Sequence, residues 1–410
     1  MQLQHLSLTN FRNYMRLELA LPTGPILLHG ANAQGKTSVL EAVYYLATSR
    51  SPWTSTDRQL MNWAAENDVI PFLRISAELT RRDSPLTRVD ITLVRDISAG
   101  EIRYAKEIRI NGVKRRALDL LGTLNVVMFL PQDLAIVEGG PNDRRRYLNV
   151  TLAQVDRAYA QALTNYDKVL TQRNALLKRI YARQAGVSEL AFWDDQLIAA
   201  GSVIMAGRQR LLRDLDVLAQ QVHSDLTAGA ETLELRYQPS FMTENTEKQL
   251  TFDVPGMELH REWTADDISD PFRAELLRLR RDEIERGSTL VGPQRDELRF
   301  AVNGRDLGLY GSRGQARTAI MALKLAELTW MQQVIGEWPV LLLDEFIAEL
   351  DANRRAYLLD RIDGATQSIL TTTEPDIFTE RFLTKAAVWQ VHAGQIEKPS
   401  TVQPDQLNDP

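Results

Sequence analysis

Three short stretches hold residues whose types and spacing suit phosphate chemistry. The first is Gly30-Ala31-Asn32-Ala33-Gln34-Gly35-Lys36-Thr37, which reads G-x-x-x-x-G-K-T. Its glycines let successive backbone N–H groups turn inward around an anion. Lys36 can reach the outer phosphates of a nucleotide, and the Thr37 hydroxyl can sit on Mg²⁺. The second is Asp344-Glu345, directly after the apolar run Pro339 to Leu343. Asp344 can hold Mg²⁺ through water, and Glu345 can orient an attacking water as a general base. The third, Gly311-Ser312-Arg313-Gly314-Gln315, precedes a helical pattern and so offers a second phosphate-binding helix start. Gln132, just after the apolar run Asn125 to Leu130, stands where a loop sensing metal and γ-phosphate would sit. Arg12, in the turn Asn10 to Tyr14, is either a solvated turn residue or a cation folded back over a nucleotide.

The flanking patterns must position these groups. Pro25 to His29 reads as a short buried strand, and Ser38 to Thr48 places Val39, Ala42, Val43 and Leu46 on one helical face. Strand, glycine loop, helix is the context that gives the first motif its meaning. Upstream, Leu3, His5, Ser7 and Thr9 alternate with Gln4, Leu6 and Leu8, as antiparallel strands do. Ile75 to Leu79, Val89 to Val94 and Lys106 to Ile110 are further strands, and Asn111-Gly112 is a hairpin turn. Arg103, Lys106, Arg109, Lys114, Arg115 and Arg116 crowd that hairpin. Alternate residues share a face, so Lys106 does not automatically join Arg103 and Arg109. The cluster is either a charged edge that resists aggregation or a contact for a DNA backbone.

Asn142 opens a long helical region through Leu177, and Leu197 to Leu218 repeats the periodicity after a break at Gln184 to Gly186, as an antiparallel helical hairpin would. Arg144-Arg145-Arg146 sits at a helix start, where cations are unfavourable; an external anion, a buried partner or plain solvation would each accommodate it. Leu233 to Tyr237 reads as a strand, and Met242 to Asp267 is polar without period. Asp270-Pro271 then looks like a helix start with Gly287 as its stop. Leu298 to Val302 with Asn303-Gly304 is a second hairpin, Ala316 to about Ile335 a helix, and Ser368 to Thr373 a strand.

Composition narrows the classes. The chain has 410 residues, 44% hydrophobic and 25% charged, with a formal net charge of −6. Any nucleic-acid binding must therefore come from local basic patches. There are no cysteines, which removes disulfides, thiol nucleophiles and cysteine-held zinc. The five histidines (His5, His29, His223, His260, His392) show no metal-ligand spacing. No apolar run is long enough for a bilayer, and the N-terminus lacks a signal-peptide pattern. A cytoplasmic protein is expected, with a disordered polar tail after Gln395.

In order, the chain runs phosphate loop, Gln132, helical insert, Ser312-to-Gln315 segment, LLLDE strand, Asp351 and a threonine run. This resembles the ABC-type ATPase heads of the SMC branch, and within it the RecF family. The resemblance is carried by Thr9 to Tyr14, Asn32 to Thr37, Leu40-Glu41-Ala42, Arg144 to Leu148, Gln172-Arg173-Asn174, Gly292 to Asp296 and Gly314 to Ala319. It implies an α/β fold: a P-loop ABC-type ATPase head, with a mixed sheet and an antiparallel β subdomain, interrupted by an α-helical lobe. The expected spans are 1–140 and 291–395 for the head, 141–290 for the insert and 396–410 for the tail. The resemblance further implies ATP and Mg²⁺ as cofactors and an ATP-dependent homodimer. Gly30 to Thr37 of one copy would hold the nucleotide, and Ser312, Gly314 and Gln315 of the other would close over it. Gln132 would match the Q-loop, Asp351 the D-loop, Thr372 or Thr373 the switch position, and Arg12 would contact the nucleotide of its own subunit. The implied activity is slow, DNA-stimulated ATP hydrolysis in a nucleoid-associated clamp that acts near single-strand/duplex junctions with RecR and RecO and promotes RecA loading. The chain departs from the family pattern at Trp53, Gln132, Asn149, Gln294 and Glu345.

Overall fold

The structure, a computed structural model, describes residues 1–82, 84–98, 101–241 and 262–397. Most of the polar stretch expected from Met242, and the tail beyond 397, lie outside these residues. In chain order the elements begin with β1 (Gln2–Phe11), β2 (Tyr14–Ala20), β3 (Gly24–His29), α1 (Lys36–Thr48), β4 (Phe72–Arg81), β5 (Ser84–Ser98), β6 (Glu101–Ile110), β7 (Val113–Arg115), α2 (Ala117–Leu120) and β8 (Val126–Phe129). Then come α3 (Ala135–Glu138), α4 (Pro141–Ala153), α5 (Arg157–Tyr181), α6 (Leu190–Leu226), β9 (Leu233–Gln238), α7 (Ala265–Arg286), β10 (Glu297–Val302), β11 (Arg305–Asp306), α8 (Leu307–Tyr310) and α9 (Arg313–Ile335). The chain closes with β12 (Val340–Asp344), α10 (Ala352–Ile362), β13 (Gln367–Thr372), α11 (Glu380–Lys385), β14 (Ala387–His392) and β15 (Gln395–Glu397).

The chain divides into two compact units, one made of Met1–Pro131 with the segment from Ile335 onward, the other of Gln132–Val334. The second division falls at Val334, not at the expected residue 290, so the Ser312-to-Gln315 segment groups with the helical unit. The cause is pairing: β10 runs antiparallel to β9, and Thr151 on α4 donates to Glu327 on α9 at 2.8 Å.

Unit one holds two six-stranded sheets. One is ordered β15-β14-β3-β13-β12-β8, parallel except for β15; the other, β2-β1-β4-β5-β6-β7, is antiparallel. Helix α1 packs on β4 of the second sheet and on β8, β12 and β13 of the first. It is buried on nearly every side, from Val39 through Ala47 except Tyr44, as a helix between two apolar layers must be. In β1 a register shift between Leu3 and His5 breaks the strict alternation. Leu3, Leu6 and Leu8 thereby all face the core, each worth about 1.5–3 kcal/mol of burial.

Unit two is mainly helical. The long run expected from Asn142 is two helices, because Asp156 caps α5 by accepting from the Tyr159 N–H. Helix α7 starts at Ala265, five residues before the expected cap at Asp270. Thr264 and Asp267 form a reciprocal cap there, which leaves Pro271 inside the helix. The arginine triplet finds internal partners. Arg144, nearly buried, pairs with Glu297 at 2.6 Å, and Arg145 donates to the Asp296 carbonyl at 2.8 Å. Two further arginines organise the interior. Arg173 joins Asp194 at 2.8 Å and Glu283 at 2.7 Å. Arg208 reaches the Pro293 carbonyl at 2.6 Å, Asp296 at 3.3 Å and Asn149 at 3.0 Å. Asn149 also accepts from the Tyr159 hydroxyl at 2.7 Å, and Gln294 accepts from the Tyr166 hydroxyl. Both departures from the family pattern are thus part of the buried polar network.

Candidate nucleotide-binding site and basic hairpin

The phosphate loop leaves β3, whose neighbours are β13 and β14. Two glycines are required by close approach. A Cβ on Gly30 would lie 2.3 Å from the Val391 carbonyl oxygen, and one on Gly35 would lie 2.8 Å from the Tyr14 hydroxyl. The loop is held from both sides. Asn13 Nδ2 donates to the Gln34 carbonyl at 2.9 Å and Tyr14 to that of Gly35 at 3.1 Å. From the β14–β15 turn, the Ala393 N–H donates to Gln34 Oε1 at 2.7 Å, and the Gly394 N–H to the Gln34 carbonyl at 3.1 Å.

Inside the loop Lys36 is buried and donates to the carbonyls of Gly30 at 2.7 Å and Ala31 at 3.0 Å. Its ammonium also lies 3.2 Å from Glu345. Thr37 Oγ1 donates to Asp344 Oδ1 at 2.8 Å, and Thr371 Oγ1 donates to the same oxygen at 2.8 Å. The strand order explains this meeting, since β13 separates β3 from β12 and pairs Thr371 with Asp344. Burial pushes the Asp344 carboxyl above the ordinary carboxylate range; the two threonine hydroxyls pull it back, Glu345 adds to the push and Lys36 opposes it. Glu345 has a left-handed backbone, φ 50°, and its N–H is held by Thr371 Oγ1 at 2.9 Å. A non-glycine residue in that region is uncommon, and from it the Glu345 carboxylate reaches Lys36 at 3.2 Å.

Other expected residues of unit one stand as follows. Arg12 makes two bonds to the buried Glu41, at 2.6 and 2.7 Å, and one to the Gln59 carbonyl at 2.8 Å. Its guanidinium is therefore committed to α1. Asp351 caps α10, accepting from the Arg354 N–H at 3.0 Å. The Thr372 hydroxyl is buried and donates to the Glu374 carbonyl at 3.1 Å. Thr371, one position earlier, is the threonine that reaches Asp344. Sequence reasoning missed Thr371, the pairing of Arg12 with Glu41, and the 393–394 turn. The strand's period of two was the available signal for Thr371; nothing local announced the other two.

In unit two Gln132 is exposed at the start of the unit. Ser312 and Gly314 are exposed too. Ser312 and Gln315 cap α9 reciprocally: the Gln315 N–H donates to Ser312 Oγ at 3.2 Å, and the Ser312 N–H to Gln315 Oε1 at 3.0 Å.

The basic hairpin resolves into two faces. Lys106 turns inward to Asp57 at 2.9 Å and lies over the Tyr45 ring. Arg109 and Lys114 face each other across β6 and β7, and both pair with Glu107, at 2.6 and 3.2 Å. Arg115 is exposed opposite Ile108, and Arg116 pairs with Asp119 at 3.4 Å. The side chain of Arg103 lies outside the described residues.

A glycine loop before a buried helix, an acid pair closing a strand two places along a parallel sheet, and an adjoining antiparallel sheet define a P-loop ATPase head of the SMC type. Residues 2–396 match the family described as RecF/RecN/SMC N terminal domain. The chain is 43% identical over 408 residues to the DNA replication and repair protein RecF of Roseiflexus castenholzii, covering 97% of this chain and 99% of that one. It is 42% identical to RecF of Herpetosiphon aurantiacus, at 97% and 99% coverage. Among solved structures it is similar to the recombination mediator protein RecF-ATP in the RecFOR pathway, with TM-score 0.81, 29% identity and 97% of each chain covered. The SMC head bound to the C-winged helix domain of ScpA shares the fold, with TM-score 0.52 and 14% identity. The chain belongs to the RecF/RecN/SMC N-terminal family, on its RecF branch. Among the described residues no helix is long and apolar enough to cross a membrane.

Proposed function

We propose that this chain is an ATP-dependent DNA clamp of recombinational repair, in which ATP joins two copies and slow hydrolysis releases them. The observation that carries this reading is the meeting of Thr37, Asp344 and Thr371 beside Lys36 and Glu345. Lys36, now satisfied by loop carbonyls and Glu345, is the cation that the outer phosphates of ATP would take over. That exchange frees Glu345 to accept a proton from an attacking water. Thr37 and Asp344 offer hydroxyl and carboxylate oxygens, the hard donors that Mg²⁺ prefers. When bound, Mg²⁺ would neutralise developing phosphate charge.

In this reading Ser312 and Gly314 of a second copy close over the nucleotide, and Gln132 and Asp351 take the Q-loop and D-loop roles that the resemblance implies. Arg109, Lys114, Arg115 and Arg116, with Arg103, contribute to DNA binding. The names of similar proteins support a role with RecR and RecO, and RecA loading follows from the same resemblance. The deciding experiment measures binding to duplex, single-stranded and junction DNA with and without ATP, alongside sedimentation of the chain and of Lys36→Met. The clamp requires ATP-dependent dimerisation and ATP-dependent DNA binding, both lost in Lys36→Met. An ATP-dependent dimer that survives in Lys36→Met would sink it. Glu345→Gln should accumulate the ATP-bound dimer; faster hydrolysis in that variant would remove Glu345 as the base.

A further inference from the structure

The Ser312-to-Gln315 turn is held from behind by a residue that belongs to none of the motifs. The reciprocal cap of α9 uses the amide oxygen of Gln315. Its NH₂ group donates to Glu231 Oε1 at 2.8 Å. The other carboxylate oxygen of Glu231 lies 3.2 Å from Nε2 of His223, which is fully buried on the last turn of α6. We propose that Glu231 is the positioning residue of the Ser312-to-Gln315 turn, tying the start of α9 to the C-terminal end of α6.

The backbone around Glu231 is fixed, so its carboxylate can order the turn. The Gly229 N–H donates to the Ser224 carbonyl at 2.8 Å, and that of Ala230 to Thr227 at 3.0 Å. On the other side the Thr232 N–H donates to Asn303 Oδ1 at 2.9 Å. Ser312, Arg313 and Gly314 are solvent-exposed, so the side-chain tether at Gln315 bears directly on how the turn is held. A hydrogen bond to a carboxylate is roughly twice as strong as a neutral one. Losing it lets Gln315 leave the cap and lowers the fraction of turns ready to meet a nucleotide. The inference rests on the proposed ATP-dependent pairing of two copies and names the residue that prepares one wall of that site.

The test uses the full chain with Glu231→Ala, Glu231→Gln, Gln315→Ala and Ser312→Arg. ATP binding to the monomer is followed with a fluorescent ATP analogue, and dimerisation by sedimentation velocity. Glu231→Ala should keep the monomer's ATP affinity and weaken the ATP-dependent dimer by roughly tenfold. Glu231→Gln, whose amide oxygen still accepts from Gln315, should restore most of the loss. Gln315→Ala leaves the Glu231–His223 contact intact, so it tests the tether even if Glu231→Ala folds poorly, and it should show the same weakening. Normal dimerisation of Glu231→Ala or Gln315→Ala, with Ser312→Arg blocked, overturns the tether and leaves the pairing intact. Normal dimerisation of Ser312→Arg overturns the pairing itself, and the tether with it.

Discussion

The Thr37 hydroxyl and the Asp344 carboxylate meet at 2.8 Å across 307 positions of sequence. Thr371 holds the same carboxylate oxygen from the intervening strand. Outer partners of a metal-binding group are commonly worth about 10–100-fold in metal affinity. Thr371→Val keeps the shape and removes the hydroxyl. We expect it to weaken ATP binding by that range with Mg²⁺ present and to leave binding in EDTA nearly unchanged. Isothermal titration under both conditions checks this; equal losses in the two would assign Thr371 to the fold alone.

Glu107 neutralises the two cations on the outer face of the hairpin, Arg109 and Lys114. Glu107→Gln should release both toward DNA. The expected result is tighter duplex binding and a steeper salt dependence, each newly engaged phosphate adding about 0.9 to the log–log slope. Arg115→Ala should lower that slope by about one. Lys106→Ala should leave it unchanged, because Lys106 faces Asp57 and Tyr45. Fluorescence anisotropy across a salt series separates the three variants; a flat response in the parent chain would count against the hairpin as a DNA contact.

Arg173 is fully buried between Asp194 and Glu283. Arg280 also reaches Asp194, at 2.8 Å, but no second cation of the described residues forms a salt bridge to Glu283. Arg173→Leu therefore leaves a buried carboxylate uncompensated, at a cost of about 3–5 kcal/mol. Urea unfolding of the variant should show the loss. Arg173→Leu combined with Glu283→Gln should recover part of it, and a double variant no better than the single would refute the charge explanation.

Asp216 accepts from the Leu235 N–H at 2.6 Å. Burial raises its pKa to about 6, with Leu235 pulling the other way. The unfolded chain releases that proton near pH 4. Between about pH 4 and 6 the folded chain holds a proton the unfolded chain has lost, so stability falls as pH rises through this window and is level above it. The contribution is about 3 kcal/mol. Asp216→Asn should flatten the profile and stabilise the chain at pH 7. Denaturation curves from pH 4 to 8 test this; an unchanged profile would mean the group titrates normally.

The legible parts of this chain were those written in consecutive residues. Strand, glycine loop and helix around Lys36 were found where the spacing placed them, as were the turns at Asn111-Gly112 and Asn303-Gly304. The α5–α6 hairpin followed from helical periodicity. What escaped had competing local signals. Pro271 looks like a helix start, yet the Thr264–Asp267 cap wins because two backbone donors are satisfied there together. The arginine triplet at Arg144 left an anion, a buried partner and solvation open, and Glu297, 153 positions away, supplies the partner. Arg12 gave no sign of Glu41, since only the folded turn brings them together.

The glycine loop Gly30 to Thr37 is braced by residues made long after it. Ala393 reaches back 359 positions to Gln34, and β3 lies between two strands from the far end of the chain. At about 5–20 residues per second of synthesis, roughly 20–70 s separate the two halves. A nascent chain on the ribosome therefore carries the whole glycine motif well before the strands and the turn that brace it exist.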